Sequence, residues 1–342
     1  MDKTLKPSPL TQMEEVPTGL LETSVEELYT ILPGPALIHL PGTLDSPLFV
    51  SVLLHGNEST GFLAIQALLR KYENRQLPRS VSIFFGNIAA AKLGVRRLEN
   101  QLDYNRIWPG TEYPESEDSL MTREVVDLMA KRNVSLSIDI HNNTGINPHY
   151  ACVNKLDHRF LQIATLFSRL VVYFIRPKGV LSAAFANLCP SVTLECGKPE
   201  HHYGVEHALD FLEGCLRLKN IPNHPVPKNN IDLFHTVAQI TIRDYVSFGF
   251  RGNNADFILI DDLDHMNFTE KPAGTVFGEL NNTSDLPVSA VNETGKDVTE
   301  KYFSISGNRL IIKKPIMPSM LTQDIKIIRQ DCLCYLMERI SL

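Results

Sequence analysis

Apolar positions recur along the chain with two different periods, and the switches between them mark out the elements. Ala36 to Leu40 and Pro47 to Leu54 are short apolar runs joined by Pro41-Gly42-Thr43-Leu44-Asp45, the pattern of strand, turn and strand. Ser59 to Tyr72 then repeats its apolar residues at helical spacing, and Val81 to Phe85 is a strand closed by Gly86-Asn87. Ser116 to Arg132 carries Leu120, Val125, Leu128 and Met129 on one helical face. Val134 to Ile140 alternates as a strand and ends at His141. A helix over about Asp157 to Arg169, strands over Val171 to Ile175 and Val192 to Glu195, and a helix over about Gly204 to Leu218 complete the series. Strands alternating with helices predict an α/β fold, with a mixed, mostly parallel sheet covered by helices on both faces. Upstream, Ser24-Val25-Glu26-Glu27 has capping-box spacing and predicts a short helix to Leu32, stopped by Pro33-Gly34. The first dozen residues read as a loose arm.

The pattern changes over residues 220–230 (NIPNHPVPKNN), a stretch of prolines and asparagines that reads as a linker. Beyond it the helical period disappears, and short β-like runs are punctuated by Gly249, Gly252, Gly274, Gly278 and Gly307. The expected organisation is therefore an arm and short helix over 1–33, an α/β domain over 34–222 and a smaller, mainly β domain over 223–342.

Composition narrows the class of function. Of the 342 residues 43% are apolar and 21% charged, enough for a substantial core and unlike a disordered or coiled-coil chain. Lys and Arg number 33 against 39 Asp and Glu, a net charge of -6, so no surplus of cations is available for nucleic acid or an anionic membrane. The longest apolar stretch, Phe160 to Ile175, is broken by Gln162 and Arg169 and is too short to span a bilayer. With no basic start followed by an apolar run at the N-terminus, the expected location is cytoplasmic. The 6 cysteines form no CxxC pair, and Cys332 and Cys334 are expected to share one face of a strand as small buried hydrophobes.

The candidate chemistry lies at strand ends. Leu53-Leu54-His55-Gly56-Asn57-Glu58 runs from an apolar strand into an imidazole and, three residues on, a carboxylate. A second strand ends in Asp139-Ile140-His141-Asn142. In an open α/β sheet such positions line the ligand crevice. Two His and one Glu, with a fourth position open to water, form a ligand set of catalytic zinc sites, and Asp139 is placed to accept the outer imidazole hydrogen bond. A third strand delivers Glu195 before Cys196-Gly197, where a carboxylate near a metal suits a general base. Between them, Arg96-Arg97 and Asp103-Tyr104-Asn105-Arg106 form an irregular polar segment whose forked donors suit a carboxylate.

Together these four segments resemble the succinylglutamate desuccinylase/aspartoacylase family, a branch of the zinc carboxypeptidase-like metallohydrolases. The resemblance covers residues 35–220, and the C-terminal β domain is similar in placement to the one that follows the family's catalytic domain. It implies that His55, Glu58 and His141 hold one Zn2+ per chain, that Glu195 is the general base and acid, and that Asn105 and Arg106 grip a substrate carboxylate. The family places a carbonyl-polarising arginine five residues before the Asp of its Asp-x-Asn-Arg motif. Leu98 stands there in this chain, so Arg97 is assigned the role, with Arg96 adjacent. The arginine that aspartoacylases carry about ten residues before the general base is replaced by Phe185, and the nearest cations are Arg176 and Lys178.

The implied reaction is zinc-dependent hydrolysis of an amide bond in an N-acyl amino acid or small peptide carrying a carboxylate. The residues around His141 are closer to the aspartoacylase version, and to metallopeptidases of the family, than to the Asp-Leu-His-Thr of the desuccinylases. A homo-oligomer is compatible with the sequence. Two rival readings are a non-catalytic relative that binds a metal or small acid, and a cysteine hydrolase pairing Cys196 with His201, His202 or His207.

Overall fold

A computed structural model describes residues 9–199, 201–281 and 285–341. It divides into two units, Met1–Asn142 with His149–Ile231, and Asn143–Pro148 with Asp232–Leu342. Residues 1–8 of the expected arm lie outside the described residues, and the end of that arm, Thr11–Met13, is a strand, β1.

The first unit is built on β1, β2 (Ala36–Leu40), β3 (Gly42–Val52), β4 (Leu77–Phe85), β5 (Leu136–His141), β6 (Tyr150–Val153), β7 (Leu170–Tyr173) and β8 (Ser191–Glu195). Their order across the sheet is β1-β2-β4-β3-β5-β8-β6-β7. The pairs β4/β3, β3/β5 and β5/β8 are parallel, while β2/β4 and β6/β8 are antiparallel, giving the mixed, mostly parallel sheet of a zinc carboxypeptidase-like fold. Register places Phe49, Ser137 and Ser191 in one row, and Ser51, Asp139 and Thr193 in the next.

Helices cover both faces. α1 (Thr60–Tyr72) lies on the face of Val52 and Ile140, so closely that a Cβ on Gly61 would stand 2.8 Å from Val52 Cγ1 and 3.0 Å from Ile140 Cβ. α6 (His202–Arg217) packs beside α1 on that side. On the opposite face α3 (Glu117–Lys131) and α5 (Leu181–Phe185) close a core containing Phe49, Phe84, Trp108 and Phe185. Two more helices, α2 (Ile88–Ala91) and α4 (His158–Phe167), follow β4 and β6. The N-terminus of α3 has a reciprocal cap in which Ser116 Oγ accepts from Ser119 N at 3.1 Å and Ser116 N donates to Ser119 Oγ at 2.8 Å.

The expected helix from Ser24 to Leu32 is reduced to one 3-10 turn, Leu28–Thr30, although Glu27 N does donate to Ser24 Oγ at 3.2 Å. A segment so short, stopped by Pro33-Gly34, adds too few hydrogen bonds to repay helix nucleation. β6 and α5 were not marked by the periodicity, because four or five mostly apolar residues carry no measurable period.

The second unit contains β9 (Asp232–Ile242), β10 (Phe248–Gly249), β11 (Phe257–Leu259), β12 (Val276–Leu280), β13 (Val288–Asn292), β14 (Phe303–Ser306), β15 (Arg309–Ile312), β16 (Met317–Ser319) and β17 (Cys334–Arg339). β9, β17 and β16 pair antiparallel in that order with β13 on the other edge of β9, and a separate sheet runs β10-β11-β12-β15-β14. Short helices α7 (Thr299–Tyr302) and α8 (Ile325–Gln330) complete it. Cys332 precedes β17 rather than sharing a strand face with Cys334, and both are buried.

Residues 143–148 are held within this second unit. Asn267 Nδ2 donates to the carbonyls of Ile146 at 3.2 Å and Leu321 at 2.8 Å, and Met320 N donates to Asn147 Oδ1 at 3.2 Å. A Cβ on Gly145 would overlap the Leu321 carbonyl, so only glycine fits there. No helix among the described residues is long and apolar enough to cross a membrane.

Candidate metal centre

Two parallel strands deliver the centre's imidazoles. β3 stops at Val52, and Leu53 turns the chain with a left-handed φ of 58°, an uncommon conformation for leucine. It is held there because Gly86 N donates to the Val52 carbonyl at 3.0 Å and Asn87 N to the Leu53 carbonyl at 2.6 Å. The turn that follows closes with Glu58 N donating to the His55 carbonyl at 3.2 Å, and it aims His55 and Glu58 at one point. The last residue of β5, His141, reaches the same point from the neighbouring strand.

Glu58 sits between the rings. Its Oε1 lies 2.7 Å from His55 Nδ1 and its Oε2 2.7 Å from His141 Nδ1, and Asn142 N donates to Oε2 at 3.1 Å. The outer nitrogens are also engaged, His55 Nε2 with Asp103 Oδ1 at 3.0 Å and His141 Nε2 with Asp139 Oδ2 at 2.8 Å. One ligand atom from each of His55, Glu58 and His141 falls within 4.8 Å of the others, and all three residues are buried. This donor set fits a metal ion. Nitrogen and carboxylate ligands converge, and each imidazole turns its far nitrogen to a second carboxylate, which fixes the tautomer that leaves Nδ1 free to ligate.

Burial works against the ionised forms of His55, Glu58, Asp103 and His141. Burial and Arg96 push the His55 imidazole down, yet Glu58 and Asp103 outweigh them and leave it above its ordinary value. Burial likewise opposes His141, but Asp139 and Glu58 hold it well above the usual histidine range. Against the same burial, the two imidazoles keep Glu58 well below the usual carboxylate range, and Arg96, His55 and Arg106 do so for Asp103.

The surrounding polar residues have distinct placements. Glu195 ends β8 in register with His141 on one side and Tyr150 on the other. Asn105 Nδ2 lies 3.2 Å from His141 Nε2, and Asn105 Oδ1 accepts from Leu181 N at 3.0 Å. Arg106 Nη1 donates to the Asn105 carbonyl at 2.8 Å. Arg96 grips Asp103 Oδ2 through Nε at 3.3 Å and Nη2 at 2.9 Å, with Nη1 3.7 Å from Glu58 Oε1. Arg97 instead donates to the Gln101 carbonyl at 2.7 Å. Asp103 and Asn142 are the structural members that sequence reasoning left without a role. Asn142 Nδ2 donates to Thr60 Oγ1 and to the Gly197 carbonyl, both at 2.8 Å, tying the start of α1 to the turn after Glu195. Their signal was present, since each sits inside a motif already singled out.

Glycine at 56 is required by the same geometry. A Cβ there would overlap the main chain of Ala90 and Ala91, on the short helix α2 that backs the turn. Gly56→Ala is therefore expected to lower folding stability by about 1–3 kcal/mol and reduce metal uptake, as measured by chemical denaturation and elemental analysis. Unchanged stability would show that the turn relaxes freely.

The family model for the succinylglutamate desuccinylase/aspartoacylase catalytic domain matches residues 47–220, just over half of the chain. The chain belongs to this family. No curated protein matches it. Among solved members or neighbours, succinylglutamate desuccinylase from Chromobacterium violaceum is 18% identical with a TM-score of 0.56, covering 88% of this chain and 86% of that one. A succinylglutamate desuccinylase/aspartoacylase from Rhodobacter sphaeroides is 13% identical with a TM-score of 0.59, covering 90% and 89%. Murine aminoacylase 3 is 15% identical with a TM-score of 0.56, covering 87% and 95%. At these identities the likeness is one of fold.

Phe185 stands where the resemblance leads one to expect an arginine. It is fully buried and stacks on Phe49 with ring centres 4.3 Å apart, a core position that a guanidinium could not take. Arg176 is committed to Glu112 through two contacts, 2.9 and 2.7 Å. The cysteine-hydrolase reading fails on Cys196, whose thiol is fully buried and pushed well up by burial, Glu195 and Glu58.

Proposed function

We propose that the protein hydrolyses the amide bond of an N-acyl amino acid or small peptide that carries a carboxylate, with one zinc ion held by His55 Nδ1, Glu58 and His141 Nδ1. The observation that carries this reading is the arrangement of both Nδ1 atoms on Glu58 and both Nε2 atoms on Asp103 and Asp139. A zinc ion in such a set acts as a Lewis acid toward a carbonyl and brings the pKa of water toward neutrality.

The chain's own residues supply the rest. Glu195 takes a proton from the attacking water at its carboxylate and returns it to the nitrogen of the leaving amine. The guanidinium and amide of Arg106 and Asn105 bind the substrate carboxylate and set the scissile bond in place. An arginine stabilises the carbonyl oxygen as negative charge builds on it. Sequence spacing assigns that task to Arg97, whereas the 3.7 Å approach of Arg96 to Glu58 favours Arg96. Asp103 and Asp139 hold the imidazoles in the ligating tautomer.

Elemental analysis of purified protein is expected to give about one zinc per chain, the count of a single-ion catalytic site. Removing it with a chelator should abolish hydrolysis of N-acyl amino acids, and added zinc should restore it. A chelated protein that keeps full activity, or a chain that takes up no zinc, would overturn the proposal.

A further inference from the structure

Strands β3, β5 and β8 are buried on both faces, and such strands normally read as continuous apolar runs. Here only one face does. Val50 and Val52, Ile138 and Ile140, and Val192 and Leu194 lie on one face, the side of α1, whereas the other face carries Ser51, Ser137, Asp139, Ser191 and Thr193. Four hydroxyls on that side, Ser51, Ser137 and Ser191 on the sheet and Ser182 on α5 above it, are fully buried and have no hydrogen-bond partner among the described residues. The second carboxylate oxygen of Asp139, Oδ1, is in the same condition, while its Oδ2 holds His141.

These atoms form one patch. Ser51 is the in-register neighbour of Asp139, Ser191 is that of Ser137, and Ser137 stands two residues before Asp139 on the same face. Ser182 lies on the helix that packs on β5 and β8, one turn before Phe185, whose ring stacks on Phe49 of the same face. Neighbouring strands are about 4.8 Å apart, which suits two hydrogen bonds of about 2.8 Å through one bridging atom better than direct contact. Isolated buried hydroxyls are costly, and native proteins satisfy such groups with internal water. A group of five, gathered around the carboxylate that orients a candidate metal ligand, points to a built feature.

We propose that this seam holds ordered water against Asp139 Oδ1, and that Ser51, Ser137 and Ser191 thereby act as positioning residues for His141. Its second half rests on the metal-dependent reading above. An Asp139 carboxylate bonded through one oxygen alone can rotate. With Oδ1 also fixed, Oδ2 keeps its direction toward His141 Nε2, and the ring keeps its aim.

The test has two arms. A high-resolution crystal structure of the full chain should show water bonded to Asp139 Oδ1 and at least one of the three hydroxyls; its absence would overturn the proposal. Zinc affinity, read by competition with a chromophoric chelator, should fall in Ser137→Ala and further in the triple variant Ser51→Ala/Ser137→Ala/Ser191→Ala, reaching about 10–100-fold. Unchanged or tighter zinc binding, together with raised thermal stability, would mean that the hydroxyls are orphans and overturn the positioning role. A wild-type chain that takes up no zinc would defeat the hydrolase reading and with it the positioning role, leaving the water positions to decide the seam.

Discussion

Glu195→Gln is expected to keep its zinc and lose turnover by about 10²–10⁴-fold, the range that general acid–base catalysis supplies. Glu195 ends β8 directly beside His141 in register, so its carboxylate issues from the same end of the sheet as the candidate metal ligands. Glutamine preserves length, shape and a hydrogen-bonding carbonyl but cannot accept the proton of an attacking water. The loss should appear in kcat with little change in KM, because the substituted group acts on the reacting atoms and not on the bound carboxylate. Steady-state kinetics beside elemental analysis separates the cases. Zinc retained with turnover retained removes Glu195 from the mechanism.

Glu58→Ala should act at an earlier step, by removing the metal itself. Among the described residues Glu58 is the one carboxylate shared by both imidazoles, so its loss takes away a proposed ligand and the partner of His55 Nδ1 and His141 Nδ1. Each ring still has its outer carboxylate, Asp103 or Asp139, so the fold should survive with a cost of about 1–3 kcal/mol for the buried groups left unpaired. Zinc in the purified variant should fall to background and activity should vanish. Denaturant unfolding followed alongside metal content tests both halves, and a variant that retains stoichiometric zinc would exclude Glu58 as a ligand.

What the sequence disclosed follows from how local each signal is. α1, α3, α4 and α6 are long enough for a 3.6-residue period to emerge, and Ser116 and Asp157 announce helix starts through their caps. His55 and His141 could be singled out because each closes an apolar run that the sheet buries, which fixes where the next side chain must point, and Glu58 because it follows His55 by three residues. The outer partners were less visible. Asp139 was readable from its two-residue offset to His141, but the pairing of Asp103 with His55 joins residues 48 positions apart and depends on how an irregular loop folds. The same loop decides between the arginines. One residue of backbone rotation turns Arg96 toward Asp103 and Arg97 toward the Gln101 carbonyl, and no sequence spacing encodes that choice.

The order in which the chain is made bears on the segment Asn143–Pro148. These six residues follow β5 and its His141 directly, yet they take hydrogen bonds from Asn267 and Met320, and Gly145 abuts Leu321. During synthesis their partners do not exist until nearly the whole polypeptide has been made, a delay of roughly 10–40 s at ordinary translation rates. β5 must therefore leave the ribosome with the loop at its end unanchored. Residues 1–231 expressed alone would remain permanently in that nascent condition, so a shortened version of this enzyme is a poor substitute for the full chain.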